Sequence, residues 1–191
     1  MRIWDINPGY LNRQSLLGEH RELHGIVSII TQKKKGYAKH PETLRWSGYG
    51  WALKQRHRLL VAEMSLRGYT DRSPVLMRSR KNRWPGVYID SPHRQFHILS
   101  SKYRYKDQGR IPLPDGARAL WSQHKYSVLA RNPDLYKTIG RQVALKKPLA
   151  DCSALADRLT EILRFRPSEG GIHNALQHMG GYVKTEADKG R

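Results

Sequence analysis

One cysteine, Cys152, is all the chain offers. That excludes an internal disulfide framework and suits a reducing cytoplasm. Acidic residues are also scarce: 16 Asp and Glu stand against 35 Lys and Arg, for a formal net charge of +19. Such an imbalance favours a polyanionic partner met quickly and with strong salt dependence. No apolar run reaches the ~18–20 residues that cross a bilayer, so neither a transmembrane span nor a membrane partner is expected. A secretory signal is not expected either, because Asp5, Asn7 and Pro8 interrupt any apolar core at the start. Internal repeats, low-complexity stretches, a glycine-rich phosphate loop and a dinucleotide fingerprint are all missing, and Gly48-Tyr-Gly50 is too short to count as one. What remains is a chain of 191 residues with 38% hydrophobic content, enough for a modest core. Five tryptophans and ten tyrosines argue against a plain basic tail.

Periodicity predicts a mainly α fold. Leu16, Leu23, Val27 and Ile30 recur at helical spacing, so residues 10–34 read as a helix ending near Lys33–Lys35 and Gly36. Residues 47–67 read as a second, with Ser47 as cap, Leu53, Leu60 and Met64 inside, and Gly68 as terminator. Prolines 74, 85, 92, 112 and 114 punctuate residues 70–114. This stretch reads as a long basic irregular excursion, carrying Arg78, Arg80, Lys81, Arg83, Arg94, Lys102, Arg104, Lys106 and Arg110. Val87–Asp90 and Gln95–Leu99 are its candidate extended pieces. Helices are then expected over 115–130 with Asp115 as cap, over 133–145 with Asn132 as cap and Pro133 first, over 151–165 and over 171–184.

The N-terminal segment carries the chemistry. It joins a free α-amine at Met1 to a carboxylate, Glu22, through a basic helix. An α-amine titrates at about 7.7–8.0, so part of it is unprotonated near neutral pH, whereas a lysine amine must first be desolvated. Such an amine is a ready nucleophile for a sugar carbon. Arg2 is too large a second residue for trimming of the initiator methionine, so Met1 is expected to supply it.

Arg2-Ile3, Gln14 and Glu19-His-Arg21-Glu22-Leu23 resemble the start of the pyrimidine dimer DNA glycosylase (endonuclease V) family. The likeness extends to Leu53–Tyr69 with its Arg-Gly-aromatic ending, to Arg110-Ile111-Pro112, and to Leu129–Pro133 with Tyr136-Lys137 and Gly140-Arg141. It covers about residues 1–70 and 110–141. The resemblance implies a DNA-repair glycosylase with abasic-site lyase activity. Met1 would be the nucleophile at C1′ through a Schiff base, with Glu22 as the catalytic carboxylate. Arg2, Gln14, His20, Arg21, Arg131, Tyr136, Lys137 and Arg141 would contact DNA. The partner would be double-stranded DNA bearing a lesion, most readily a pyrimidine dimer, and the location nucleoid-associated. A monomer is expected. No metal or nucleotide cofactor is required. The alternatives are a glycosylase for another base lesion and a non-catalytic nucleic-acid binder on the same scaffold.

Departures from the family pattern bear on specificity. Only Tyr136 keeps the aromatic character of the family's DNA-touching tail, and Gly25 replaces a helix-one arginine. Residues 120–183, with His124-Lys-Tyr126 and Asn174–Tyr182, also resemble a bacterial helical domain of unknown function. The expected organisation is a glycosylase-like helical domain over 1–141 and a helical extension over 142–191 packed on it. His20 and His24 stand one helical turn apart, as a zinc pair would. No third ligand is evident nearby, so no metal site is expected and His20 is read as a phosphate contact. Cys152 is read as a buried small apolar residue.

Overall fold

The computed structural model describes residues 1–79, 82–145 and 151–189, with backbone alone over 182–189. Arg80 and Lys81 of the basic excursion lie outside the described residues. Among those described there are eight α-helices, one 3-10 turn and no strand, as the mainly α reading expects. The chain divides into two compact units, Met1–Leu113 and Pro114–Arg191. Residues 114–141, which the resemblance groups with the N-terminal part, pack within the second of these.

In the first unit, residues 2–6 have no regular secondary structure and lead into a 3-10 turn at Pro8–Tyr10. Helix α1 (Arg13–Thr31) follows, then α2 (Pro41–Trp46), α3 (Gly50–Leu66) and α4 (Pro92–Lys102). The inner face of α1 is Leu16, Glu19, Leu23 and Ile26, and it lies against α3, whose Leu53, Leu60 and Met64 are buried. The start of the chain is itself core: Ile3, Trp4 and Ile6 are at most 5% exposed. Burying side chains of this size contributes roughly 1.5–3 kcal/mol each, which holds an end that would otherwise fray.

Several boundaries differ from expectation. Gln95–Leu99 is helical, not extended. Ser91 accepts from the Arg94 N–H and Pro92 opens the helix, the usual signature of a start. Helix α2 is a further element: His40 caps it and Pro41 begins it. Ser47 therefore closes α2 rather than capping α3, which starts after Tyr49 without a side-chain cap. Helix α1 ends at Thr31 with Gln32 as its C-cap, and the turn comes at Lys33 with φ 50°, ahead of Gly36. Gly68 does terminate α3. Its φ of 78° suits a residue lacking Cβ, and Tyr69 N–H bonds Met64 O while Gly68 N–H bonds Ser65 O.

Asn12 caps α1 by accepting from the Ser15 N–H, and its amide donates to Asp107 O at 3.1 Å. Asn12→Ala should lower stability by about 1–2 kcal/mol. Thermal denaturation should show Tm lower by roughly 2–8 °C. An unchanged Tm would mean the cap contributes nothing.

The second unit comprises α5 (Ala117–Leu129), α6 (Pro133–Ala144), α7 (Cys152–Leu163) and α8 (Glu169–Lys189), with α5 packed against the other three. Helix α5 is preceded by Gly116 with no side-chain cap, so Asp115 does not serve as one. Asn132 caps α6 and Pro133 opens it, as expected. Leu129, Ala130 and Ala175 form a small core under Tyr126 and Tyr136. Gly171 makes the helix contact possible, since a Cβ there would meet Ala130 O at 2.0 Å. His124 is buried, and burial, aided by the charge of Arg131, pushes its pKa down to about 4. Cys152 is half-buried rather than fully enclosed. No helix among the described residues is long and apolar enough to cross a membrane.

Candidate active site at the N-terminus

Residues 2–6 join no strand among the described residues, and side chains accept the N–H groups of Arg2, Trp4, Asp5 and Ile6. Glu19 and Glu22, three apart on α1, share one face. The Arg2 N–H donates to Glu22 Oε2, and the Trp4 N–H donates to Glu19 Oε1 at 3.1 Å. On the other side, Gln95 Oε1 of α4 accepts from the Asp5 N–H at 2.8 Å and from the Ile6 N–H at 3.4 Å. The segment is thus held by α1 at residues 2 and 4 and by α4 at residues 5 and 6. Because Arg2 N touches Glu22, the α-amine of Met1, one residue earlier, lies within about 6–7 Å of that carboxylate.

The two glutamates have different environments. Glu19 has no exposed side chain and is gripped by Arg56, with Nε to Oε1 at 2.7 Å and Nη2 to Oε2 at 2.9 Å. Burial raises its pKa, while Arg56 and the Trp4 N–H oppose that rise. Arg56 Nη1 also donates to Ile6 O at 2.7 Å, so one guanidinium ties α1, α3 and the N-terminal segment together. Glu22 is half-buried and accepts the Arg2 backbone N–H.

A second buried network backs the segment. Asp5 pairs with Arg45, whose Nη1 reaches Glu42 Oε1 at 3.0 Å, and Trp46 Nε1 donates to the same oxygen at 2.8 Å. Burial raises the Glu42 pKa, opposed first by the Trp46 bond. Gln95 Nε2 donates to Asp5 Oδ2 at 3.0 Å and to Asp90 O at 2.8 Å. Asp90 in turn pairs with Arg2 Nη1 at 2.7 Å, and the Arg2 guanidinium lies 4.9 Å from the Trp4 ring centroid. Sequence reading does not find this set. Asp5, Arg45, Arg56 and Gln95 show no local pattern that would link them.

The structure brings Met1, Arg2 and Glu22 together. Gln14 and Arg21 stand exposed on α1, and Arg21 Nε donates to Leu17 O at 3.2 Å. Arg131, Tyr136, Lys137 and Arg141 belong to the second unit. Arg131 spends Nε on Phe165 O and Nη1 on Ser127 O. Tyr136 packs on Trp121 with ring centroids 5.7 Å apart, and Lys137 and Arg141 are exposed on α6.

His20 goes elsewhere. Its Nε2 lies 3.3 Å from His24 Nε2 and 3.2 Å from Asp71 Oδ1, and His24 Nε2 lies 3.2 Å from His57 Nε2. The groups that sequence could not find beside His20 and His24 therefore come from α3 and from the segment after Gly68. Burial lowers the pKa of His24 and of His57, with Asp71 opposing in each case. A cleft of about 470 Å³, edged by Lys54, His57, Arg58 and Asp71, opens beside this group.

Internal pairing also shapes the surface charge. Asp5, Glu19, Glu42, Glu63 and Asp90 are each taken up by arginines within the first unit. Arg13, Arg21, Lys33, Lys34, Lys35, Lys39, Arg58, Lys102, Arg104 and Lys106 remain exposed. The outer surface of that unit is strongly basic as a result.

Comparison with known proteins agrees with both resemblances. Residues 1–77 match the family model described as pyrimidine dimer DNA glycosylase, and residues 125–191 match one described as a protein of unknown function. The first match spans the N-terminal segment, α1, α2 and α3, and therefore both glutamates and the histidine group. This part of the chain is similar to a family of DNA glycosylases. The likeness noted over 110–141 lies beyond that match. No curated protein and no solved structure matches significantly.

Proposed function

We propose that this protein is a DNA-repair glycosylase with associated abasic-site lyase activity. Its α-amine at Met1 attacks C1′ of a damaged nucleotide, most readily one in a pyrimidine dimer. The new N–C bond forms as the glycosidic bond breaks, and the base departs with the bonding electrons and a proton. The sugar ring opens to give a Schiff base, loss of a C2′ proton expels the 3′ phosphate by β-elimination, and water then hydrolyses the remaining imine to free the amine. Glu22 stabilises the cationic intermediate and moves the protons of elimination. The observation that carries this reading is the bond from Arg2 N–H to Glu22 Oε2, which keeps the first residue beside the one uncommitted carboxylate of α1.

C1′ is shielded inside a stacked duplex, so a nucleotide must leave the stack before the amine can reach it. The exposed cations of α1 and of the following loop, with Gln14 and Arg21 among the contacts, would hold the flanking phosphates. Arg2, between Asp90 and solvent, would reach the phosphate nearest the lesion. Lys137 and Arg141 are the corresponding candidates on the second unit. Tyr136 and Arg131 would support that face through their packing.

Binding to duplex DNA should follow counterion release. With about six to eight phosphates neutralised, log K should fall against log salt with a slope on the order of −5 to −7. A titration of a dimer-containing duplex at several salt concentrations, with incision followed on the same substrate, checks it. A slope near zero would remove DNA as the partner. A steep slope without incision of any lesion duplex would leave a binder in place of an enzyme.

A further inference from the structure

We propose that His20, His24, His57 and Asp71 form a structural zinc site that fastens α1 to α3 and to the segment following Gly68. The four ligand atoms all lie within 4.8 Å of one another. Neighbouring separations around the group are 3.2 to 3.5 Å: His20 to His24, His24 to His57, His57 to Asp71 Oδ2 and His20 to Asp71 Oδ1. A tetrahedron with metal–ligand bonds of about 2.0–2.2 Å has edges of about 3.3–3.6 Å. Four of the six separations already fall at or near that length and the other two are no longer than 4.8 Å, so small side-chain adjustments bring all four groups onto one centre.

Hydrogen bonding alone accounts poorly for this arrangement. A neutral imidazole nitrogen is either a donor or an acceptor. His24 Nε2 lies in bonding range of two other Nε2 atoms. One proton on His24 can be directed at only one of them, and a bare His24 Nε2 offers a single lone pair. A cation at the centre accepts all three ring lone pairs and a carboxylate oxygen at once.

The donor set selects the ion. Three imidazoles and one carboxylate suit a borderline metal better than calcium or magnesium, which prefer six or more oxygens. Four protein ligands close a tetrahedral shell, which is the pattern of structural zinc rather than of a catalytic site with an open position. His20 and His24 supply one edge of the tetrahedron from a single helix, and His57 and Asp71 supply the opposite one. The cleft beside His57 and Asp71 provides access for the ion. His20 accordingly acts as a ligand and not as a phosphate contact. This site is independent of the glycosylase reading. Glu22 lies between the two α1 ligands in sequence, so the metal would also stiffen the helix that carries it.

The test uses the full-length protein with no histidine tag. After chelation and dialysis, Zn2+ and Co2+ are titrated separately, and bound metal is measured by elemental analysis. The expected result is one Zn2+ per chain, an intense visible spectrum of tetrahedral Co2+, and a Tm that rises with Zn2+. His57→Ala and the gentler Asp71→Asn should each weaken zinc binding by more than the ~10–100-fold that loss of an outer-sphere partner costs. Circular dichroism checks that each variant is folded, and Asp71→Asn covers the case in which His57→Ala is not. His93→Ala is the control. His93 and His97 also pair across one turn, Nε2 to Nε2 at 3.2 Å, but belong to no such group of four among the described residues. That variant should retain the metal. The proposal is overturned if the wild-type protein binds no stoichiometric zinc, if Co2+ gives only a weak octahedral spectrum, if folded Asp71→Asn binds as tightly as wild type, or if His93→Ala is the variant that loses it.

Discussion

Glu22→Gln should reduce strand cleavage about 10²-fold or more while duplex binding stays within a few-fold of wild type. The amide retains an acceptor oxygen for the Arg2 N–H, so the first residues stay where they are. Lost are the negative charge opposite a cationic intermediate and the basic oxygen that moves protons during elimination. Removal of a positioned general acid–base group costs about 10²–10⁴ in rate. Glu19 is the natural comparison, because it lies on the same face. Its carboxylate is fully buried and bound through both oxygens to Arg56. Breaking such a pair leaves a buried charge without its partner, which destabilises by about 3–5 kcal/mol. Glu19→Gln should therefore show itself in Tm and in recovery of folded protein, with cleavage per folded molecule much less affected. Incision kinetics under single-turnover conditions, with a filter-binding isotherm on the same duplex, separate the two effects. If Glu22→Gln cleaves normally and folded Glu19→Gln does not, the catalytic carboxylate has been misassigned by one helical turn.

The helices were legible in the sequence wherever apolar spacing was regular. Leu16 and Leu23 mark the buried face of α1, and Leu155 and Leu159 that of α7. Caps were legible where an Asx residue precedes a proline, as at Asn132-Pro133. Helix α4 was missed because five prolines in 70–114 suggested continuous interruption, although Ser91-Pro92 is itself a start signal. Helix α2 is short, and its buried face is polar: Glu42 and Arg45 are inside only because Asp5 and Trp46 satisfy them. Pattern reading counts such residues as exposed.

The site was legible in part for the same physical reason. Met1 and Glu22 were linked by resemblance; the bond from the Arg2 N–H to Glu22 forms only because the chain start folds back on α1. The partners of His20 were not legible. His57 sits on another helix and Asp71 in an irregular segment, and only tertiary packing of α1 on α3 brings them within reach. His20 therefore read as one more polar residue on a basic helix. Gln95 was hidden likewise: nothing in its neighbourhood announces that its amide will receive the N–H groups of Asp5 and Ile6.

An uncleaved N-terminal extension should abolish cutting while leaving folding and DNA binding intact. The proposed mechanism requires a free primary amine on the first residue, held within about 6–7 Å of Glu22. Each added residue moves that amine by up to about 3.3–3.6 Å. Reactive geometry tolerates displacements on the order of 1 Å before the rate falls by ~10²-fold. Arg2 N–H can still bond Glu22 in the extended chain, and Ile3, Trp4 and Ile6 still fill the core, so the fold is preserved. The former α-amine, however, becomes an amide nitrogen with no nucleophilic lone pair.

The most direct measurement is borohydride trapping on a dimer-containing or abasic duplex, run with native and extended protein side by side and followed by mass spectrometry of the DNA-linked peptide. The account predicts a covalent band for the native protein alone, with the linkage at the α-amine of a peptide beginning at Met1. Equal trapping by the extended protein, or linkage to an internal lysine such as Lys125 or Lys137, would contradict it.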